Sequence, residues 1–106
     1  MTRNNECFNK MTESRSDSAR NTIEQNLRNE TEKWQMRIED KINTMELKDR
    51  ENKEHQRMLK NIHAYISDCR HFQEKQDLVR AFEAIVWAWS WLEILEQLGI
   101  IRIINP

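Results

Sequence analysis

The chain has 106 residues, one third of them charged, a mean hydropathy of −0.93 and a net charge of only −1. That length holds one domain with a modest core, and the balanced charge excludes whole-molecule attraction to nucleic acid or anionic lipid. Gly99 and Pro106 are the only glycine and proline, where average usage gives about a dozen together. Strand-rich folds need such residues at their turns, so the composition implies an all-α protein.

Residues 1–17, MTRNNECFNKMTESRSD, are rich in Asn, Ser and Thr and carry no sustained period. They are expected to be a flexible N-terminal segment. Regular helix is expected from between Ser18 and Asn21, because Asn21 and Glu24 have capping-box spacing.

Residues 18–76 then form a long amphipathic, coiled-coil-like region. A stripe alternating three and four apart runs Leu27, Thr31, Trp34, Ile38, Lys41, Met45, Lys48, Asn52, His55, Leu59, Ile62, Ile66, Cys69, the spacing of a coiled-coil seam. Its centre is polar, with Asn52 and His55 as register-setting candidates. Residues 21–60 hold nine basic and nine acidic side chains, the interleaving of a solvated helix surface. Two arrangements fit: one unbroken helix, which the lack of Gly and Pro favours, or a turn near 42–44. In the second, Asn43 and Glu46 would form a capping box and Ile42 with Leu47 a hydrophobic staple.

Residues 77–106 are the Trp-rich C-terminal segment. A break is expected at HFQEKQD, with Asp77 as N-cap of the last helix and Gly99 as its C′ residue. The tail IIRIINP suits a short strand or a return onto the last turn. Trp87, Trp89 and Trp91 would share one side of a strand, but their flanks are helix formers. On a helix, Leu78, Phe82, Ile85, Trp89 and Leu92 lie along one side. Trp87, Trp91, Ile94, Leu95 and Leu98 lie roughly opposite. A helix apolar on two sides is a buried one, and the chain has little else with which to cover it. Its own chain is expected on one side and another subunit on the other. The expected oligomer or partner interface is Leu59, Ile62, Ile66, Phe82, Ile85, Trp87, Trp89, Trp91, Leu92, Ile94, Leu95 and Leu98.

A membrane span is disfavoured by Glu83, Glu93, Glu96 and Arg102. Leu92, Leu95, Leu98 and Ile100 follow the LxxLxxLxI spacing of leucine-rich export signals, which any apolar amphipathic helix produces by default. His55, His63 and His71 are eight apart, too far for neighbours to chelate one ion on a helix. No Gly-rich phosphate loop exists, and Cys7 and Cys69 form no CxxC pair. No metal, cofactor, catalytic group or enzymatic activity is therefore expected. The start MTRNNECFNK lacks an apolar signal core, which places the protein inside the cell, in cytoplasm or nucleus.

These features point to a self-associating helical interaction or scaffold protein: a long charged helix plus a hydrophobic C-terminal helix, in a helical hairpin or coiled-coil-like bundle assembled as a homo-oligomer. The alternatives are a dimeric nucleic-acid-associated accessory protein, or a peripheral membrane or nuclear-export adaptor using the C-terminal helix.

Overall fold

The computed structural model describes the backbone of residues 6–104 and the side chains of residues 22–104. Its order is α1 (Glu6–Asn43), β1 (Met45–Leu47), α2 (Lys53–Glu74), α3 (Leu78–Gln97) and β2 (Ile101–Ile103). The fold is all-α with a minor two-stranded ribbon.

α1 begins well before the expected start. Residues 1–5 of the segment read as flexible lie outside the described residues, but from Glu6 the backbone is helical. Asn21 sits inside α1, well past its start. A polar stretch without Gly or Pro has weak helix propensity but holds nothing that stops a helix. At 1.5 Å per residue α1 is about 57 Å long, most of the molecule's 68 Å long axis.

The helix does not continue through residue 44. Thr44 turns its hydroxyl back onto the Lys41 carbonyl (2.9 Å) and donates its amide to the same oxygen (3.0 Å). The chain then extends as β1, and Asn52 N donates to Asp49 O in a turn. Asp and Asn make turns without glycine. The cap that follows is Asn52, whose Oδ1 accepts from His55 N at 3.1 Å. Neither the Asn43–Glu46 capping box nor a polar seam at Asn52 and His55 is formed: Asn52 starts a new helix. The single seam from Leu27 to Cys69 is thereby cut into two stripes on different helices.

α2 and α3 form an antiparallel hairpin. The join is a Schellman motif, with Gln76 N donating to Gln73 O (3.0 Å) and Asp77 N to Phe72 O (2.8 Å). Gln76 takes the left-handed φ of +61°. Asp77 caps α3 as expected, accepting from Arg80 N. α3 ends in the same motif: Gly99 N donates to Glu96 O and Ile100 N to Leu95 O, with Gly99 at φ +74°.

α1 lies parallel to α3, in a constant offset that pairs Trp34 with Trp89 and Lys41 with Glu96. Both helices therefore end at the same place, and the strands that follow them meet there. β1 and β2 pair antiparallel, Met45 with Ile103, Glu46 with Arg102 and Leu47 with Ile101. Of the two readings of the tail the strand is the one formed, and its partner is 45–47, which the sequence stripe places in helix. Strand alternation sends Met45 and Leu47 inward with Ile101, closing one end of the core. Glu46 stays outside, bonded to Arg102 and Arg50.

The core follows α3. Ala81, Ala84, Ile85, Ala88, Leu92 and Leu95 are its buried residues, and the three alanines let flanking helices approach closely. Ile38 from α1, Ile62, Ile66 and Cys69 from α2, and Ile101 complete it. Thr31 is buried with its hydroxyl bonded to the Leu27 carbonyl (2.8 Å). Ion pairs Lys41–Glu96 (2.9 Å) and Arg70–Glu39 tie the helices together at the surface.

A candidate protein-interaction face on α3

The twelve expected interface residues divide into three groups. Ile62, Ile66, Ile85, Leu92 and Leu95 are buried by their own chain, so they have no surface left for a second subunit. Leu95 shares a side with Trp87 by periodicity but faces inward, because α2 and α1 embrace a wider arc of α3 than one apolar stripe. Leu59, Phe82, Trp89 and Trp91 are half-buried against the core. Trp87, Ile94 and Leu98 remain outside, 50%, 43% and 67% exposed.

Trp89 is held by α1. Its Nε1 donates to the Trp34 carbonyl at 2.9 Å, and the two indoles meet edge-to-face, 5.6 Å apart at 84°. Trp34 in turn donates its Nε1 to Glu30 Oε1 (3.1 Å). Lys33 and Arg37 lie over the Trp34 ring, 5.6 and 5.0 Å from its centroid, and Lys41 lies 5.7 Å from that of Trp89. A charged helix thereby covers an aromatic surface with its cations and their stems.

Trp87 has a different setting. Tyr65 of α2 stacks on it at 6.2 Å and 18°, and its remaining half faces outward. At 100° per residue, Trp87, Trp91, Ile94 and Leu98 occupy about 60° of the α3 circumference. The outcome is an apolar stripe of more than two turns, edged on α2 by Tyr65 and Met58, which are half-buried. Glu83 and Glu93 lie on the exposed side of α3, and neither enters an ion pair among the described residues.

Asn52 caps α2, as described. His55 lies partly inside the fold, its Nδ1 buried without a hydrogen-bond partner. Cys69 is a buried free thiol beside Gln35, 3.8 Å from its Oε1, and its pKa is pushed up to about 11, chiefly by burial. Among the described residues no group of three or more His, Cys, Asp or Glu is placed to hold a metal ion. No helix among them is long and apolar enough to cross a membrane.

Two pairings escaped the sequence reading: Trp34 with Trp89, and Glu46 with Arg102. Each joins positions about 55 residues apart. The visible signal was Trp34 standing alone among charged neighbours, an apolar ring that needs a partner.

A family model described as "Protein of unknown function (DUF357)" matches residues 33–101, from Lys33 within α1 to the first residue of β2. The crystal structure of protein AF1782 from Archaeoglobus fulgidus, carrying the same family designation, is similar in sequence and fold. It is 47% identical, with a TM-score of 0.67 over 76% of this chain and 97% of its own. No curated protein matches the chain. With the family match covering well over half of its length, the chain belongs to the DUF357 family.

Proposed function

We propose that the chain is a self-associating helical interaction protein that works through protein–protein contacts, with the outer stripe of α3 as the contact between copies. The observation that carries this reading is the exposure of Trp87, Ile94 and Leu98 on one line beside half-buried Trp91. A tryptophan buries ~150–250 Å² when fully enclosed, so half of one left in water, flanked by two exposed aliphatic side chains, is an unusual surface for a monomer. A two-fold pairing of α3 with α3, antiparallel and centred on Trp89, sets Trp87 of one copy against Trp91 of the other. Central tryptophans of this kind dominate interface energies, and a two-fold contact uses the same patch twice.

The reading assigns no reaction to the chain. An intracellular setting suits the buried free thiol of Cys69.

Light scattering across a concentration series tests it. The expected mass exceeds the 12.9 kDa of one chain and falls towards it on dilution. Trp87→Ala with Leu98→Ala should weaken assembly by about 30-fold or more, taking ~2 kcal/mol for the tryptophan alone, while helix content is retained. A wild-type mass of one chain at every concentration rejects the proposal.

A further inference from the structure

α3 carries a second apolar line, exposed at Val79 and Val86 and half-buried at Phe82 and Trp89. Val79, Phe82, Val86 and Trp89 follow one another at spacings of three, four and three, and Val86 is rotated about 100° from Trp87. The two lines are thus different faces. α1 runs alongside this second one and adds Ile23, Leu27 and Trp34. Val79 is 71% exposed and Val86 44%, so the groove between α1 and α3 is unfilled at both ends. At one end Trp34, Phe82, Val86 and Trp89 wall a cleft of about 230 Å³, with fully buried Ile85 at its floor and Glu93 on its rim. At the other end Ile23, Leu27, Leu78 and Val79 line a second cleft whose remaining walls, Glu24 and Lys75 among them, are polar.

The chemistry of the groove restricts its occupant. Both indole N–H groups at the first cleft are already bonded, Trp89 to the Trp34 carbonyl and Trp34 to Glu30. What enters there meets mostly apolar walls, with Ser90 and Glu93 as the polar groups of the lining. The cleft is smaller than the ~300–1,000 Å³ typical of small-molecule sites, which suits a single side chain and not a cofactor. From Val79 to Trp89 the groove is about 15 Å long, or roughly three helical turns. Its charge is uneven. On α1 Lys33 and Lys41 are paired with Glu30 and Glu96, and Arg37, without an ion pair among the described residues, lies on the outer face of Trp34. On α3 Glu83 and Glu93 stand without an ion-pair partner among the described residues.

We infer that this groove receives an amphipathic helix of another protein. One aromatic or branched side chain of that helix enters the Trp34–Trp89 cleft, a second apolar residue covers Val79, and Lys or Arg on its flank meets Glu83 and Glu93. This is helix-in-groove recognition, with anchors at i, i+3 or i+4, and i+7. It extends the interaction reading to a second face and stands without self-association, because Trp87, Ile94 and Leu98 are not used.

The test is a charge swap on the full chain. The probes are two synthetic 18-residue helical peptides with the same leucine stripe, one flanked by lysines and one by glutamates. The readout is the set of indole N–H resonances, with Trp34 and Trp89 reporting the groove and Trp87 the other face. The lysine peptide should shift Trp34 and Trp89 saturably. Glu83→Lys with Glu93→Lys should weaken it about tenfold and admit the glutamate peptide instead. Both positions are exposed on the helix surface, and an unchanged circular dichroism spectrum confirms that the variant is folded. Equal binding of the two peptides, shifts confined to Trp87, or no saturable shift overturns the inference. Shifts at Trp34 and Trp89 that grow with the chain's own concentration assign the groove to a second copy and overturn it too. Light scattering on the same samples reads self-association separately, so failure of one proposal is distinguishable from failure of the other.

Discussion

Trp89 reaches across from α3 to donate its indole N–H to the Trp34 carbonyl of α1, fifty-five residues earlier in the chain. That bond and the edge-to-face contact beside it fix the parallel register of the two helices. Trp89→Phe keeps an aromatic ring but removes the donor, and part of the buried area goes with it. The expected cost is about 1–2 kcal/mol, and Trp89→Ala should cost ~3–5 kcal/mol. Urea denaturation followed by circular dichroism measures both.

The two Schellman turns differ in one residue type. Gly99 takes φ +74° without strain, whereas Gln76 holds +61° at the steric cost that a Cβ imposes in the left-handed region. Gln76 is exposed, so Gln76→Gly should stabilise by about 0.5–1 kcal/mol, less than the relief of strain because glycine loosens the unfolded chain. Gly99→Ala should destabilise by about 1 kcal/mol. A Cβ there would lie 3.5 Å from Lys48 Nζ, an ordinary contact, so the loss comes from conformation and not collision. Thermal melts of the two variants should move in opposite directions.

Burial raises the Cys69 thiol from 9.0 to about 11; Glu39 adds to the rise and Arg70 opposes it. Between those values the native state keeps its proton while the unfolded state ionises, so unfolding releases a proton. Stability is therefore full below pH 9 and declines as pH rises from 9 to 11, by roughly 2–3 kcal/mol for this group alone. Cys69→Ala should flatten that part of the profile. At pH 8 iodoacetamide should label Cys69 only in denaturant, as read by peptide mass.

Glu46 shows the opposite sign. Hydrogen bonds from Arg50 and then Arg102 hold its carboxyl below 4.5. The stabilisation is present above 4.5 and lost as pH falls through the native value. Glu46→Gln should flatten the stability profile below pH 4.5, and amide exchange at Arg102 should lose its acid sensitivity.

Where an element was dictated by local chemistry, the sequence revealed it. The composition named an all-α fold, Asp77 and Gly99 marked both ends of α3, and a strand was one of the two readings of IIRIINP. The break at Thr44 was visible only as an alternative, because Gly and Pro were given the role that Asp49 and Asn52 fill. The extent of α1 was missed because Asn, Ser and Thr lower propensity without ending a helix. Periodicity divided α3 into two apolar sides, but the buried arc, marked by Ala81, Ala84 and Ala88, falls between them and takes Ile85 and Leu92 from one and Leu95 from the other. That is why Ile85, Leu92 and Leu95 lie in the core while Trp87, Ile94 and Leu98 do not. Register between elements 55 residues apart leaves no local trace.

The parallel docking of α1 on α3 also sets a timetable for biosynthesis. α1 leaves the ribosome first, whereas the surface that receives Trp34 and Ile38 is translated last of the three helices. At ~5–20 residues per second, a nascent α1 waits about 3–11 seconds with those side chains in water.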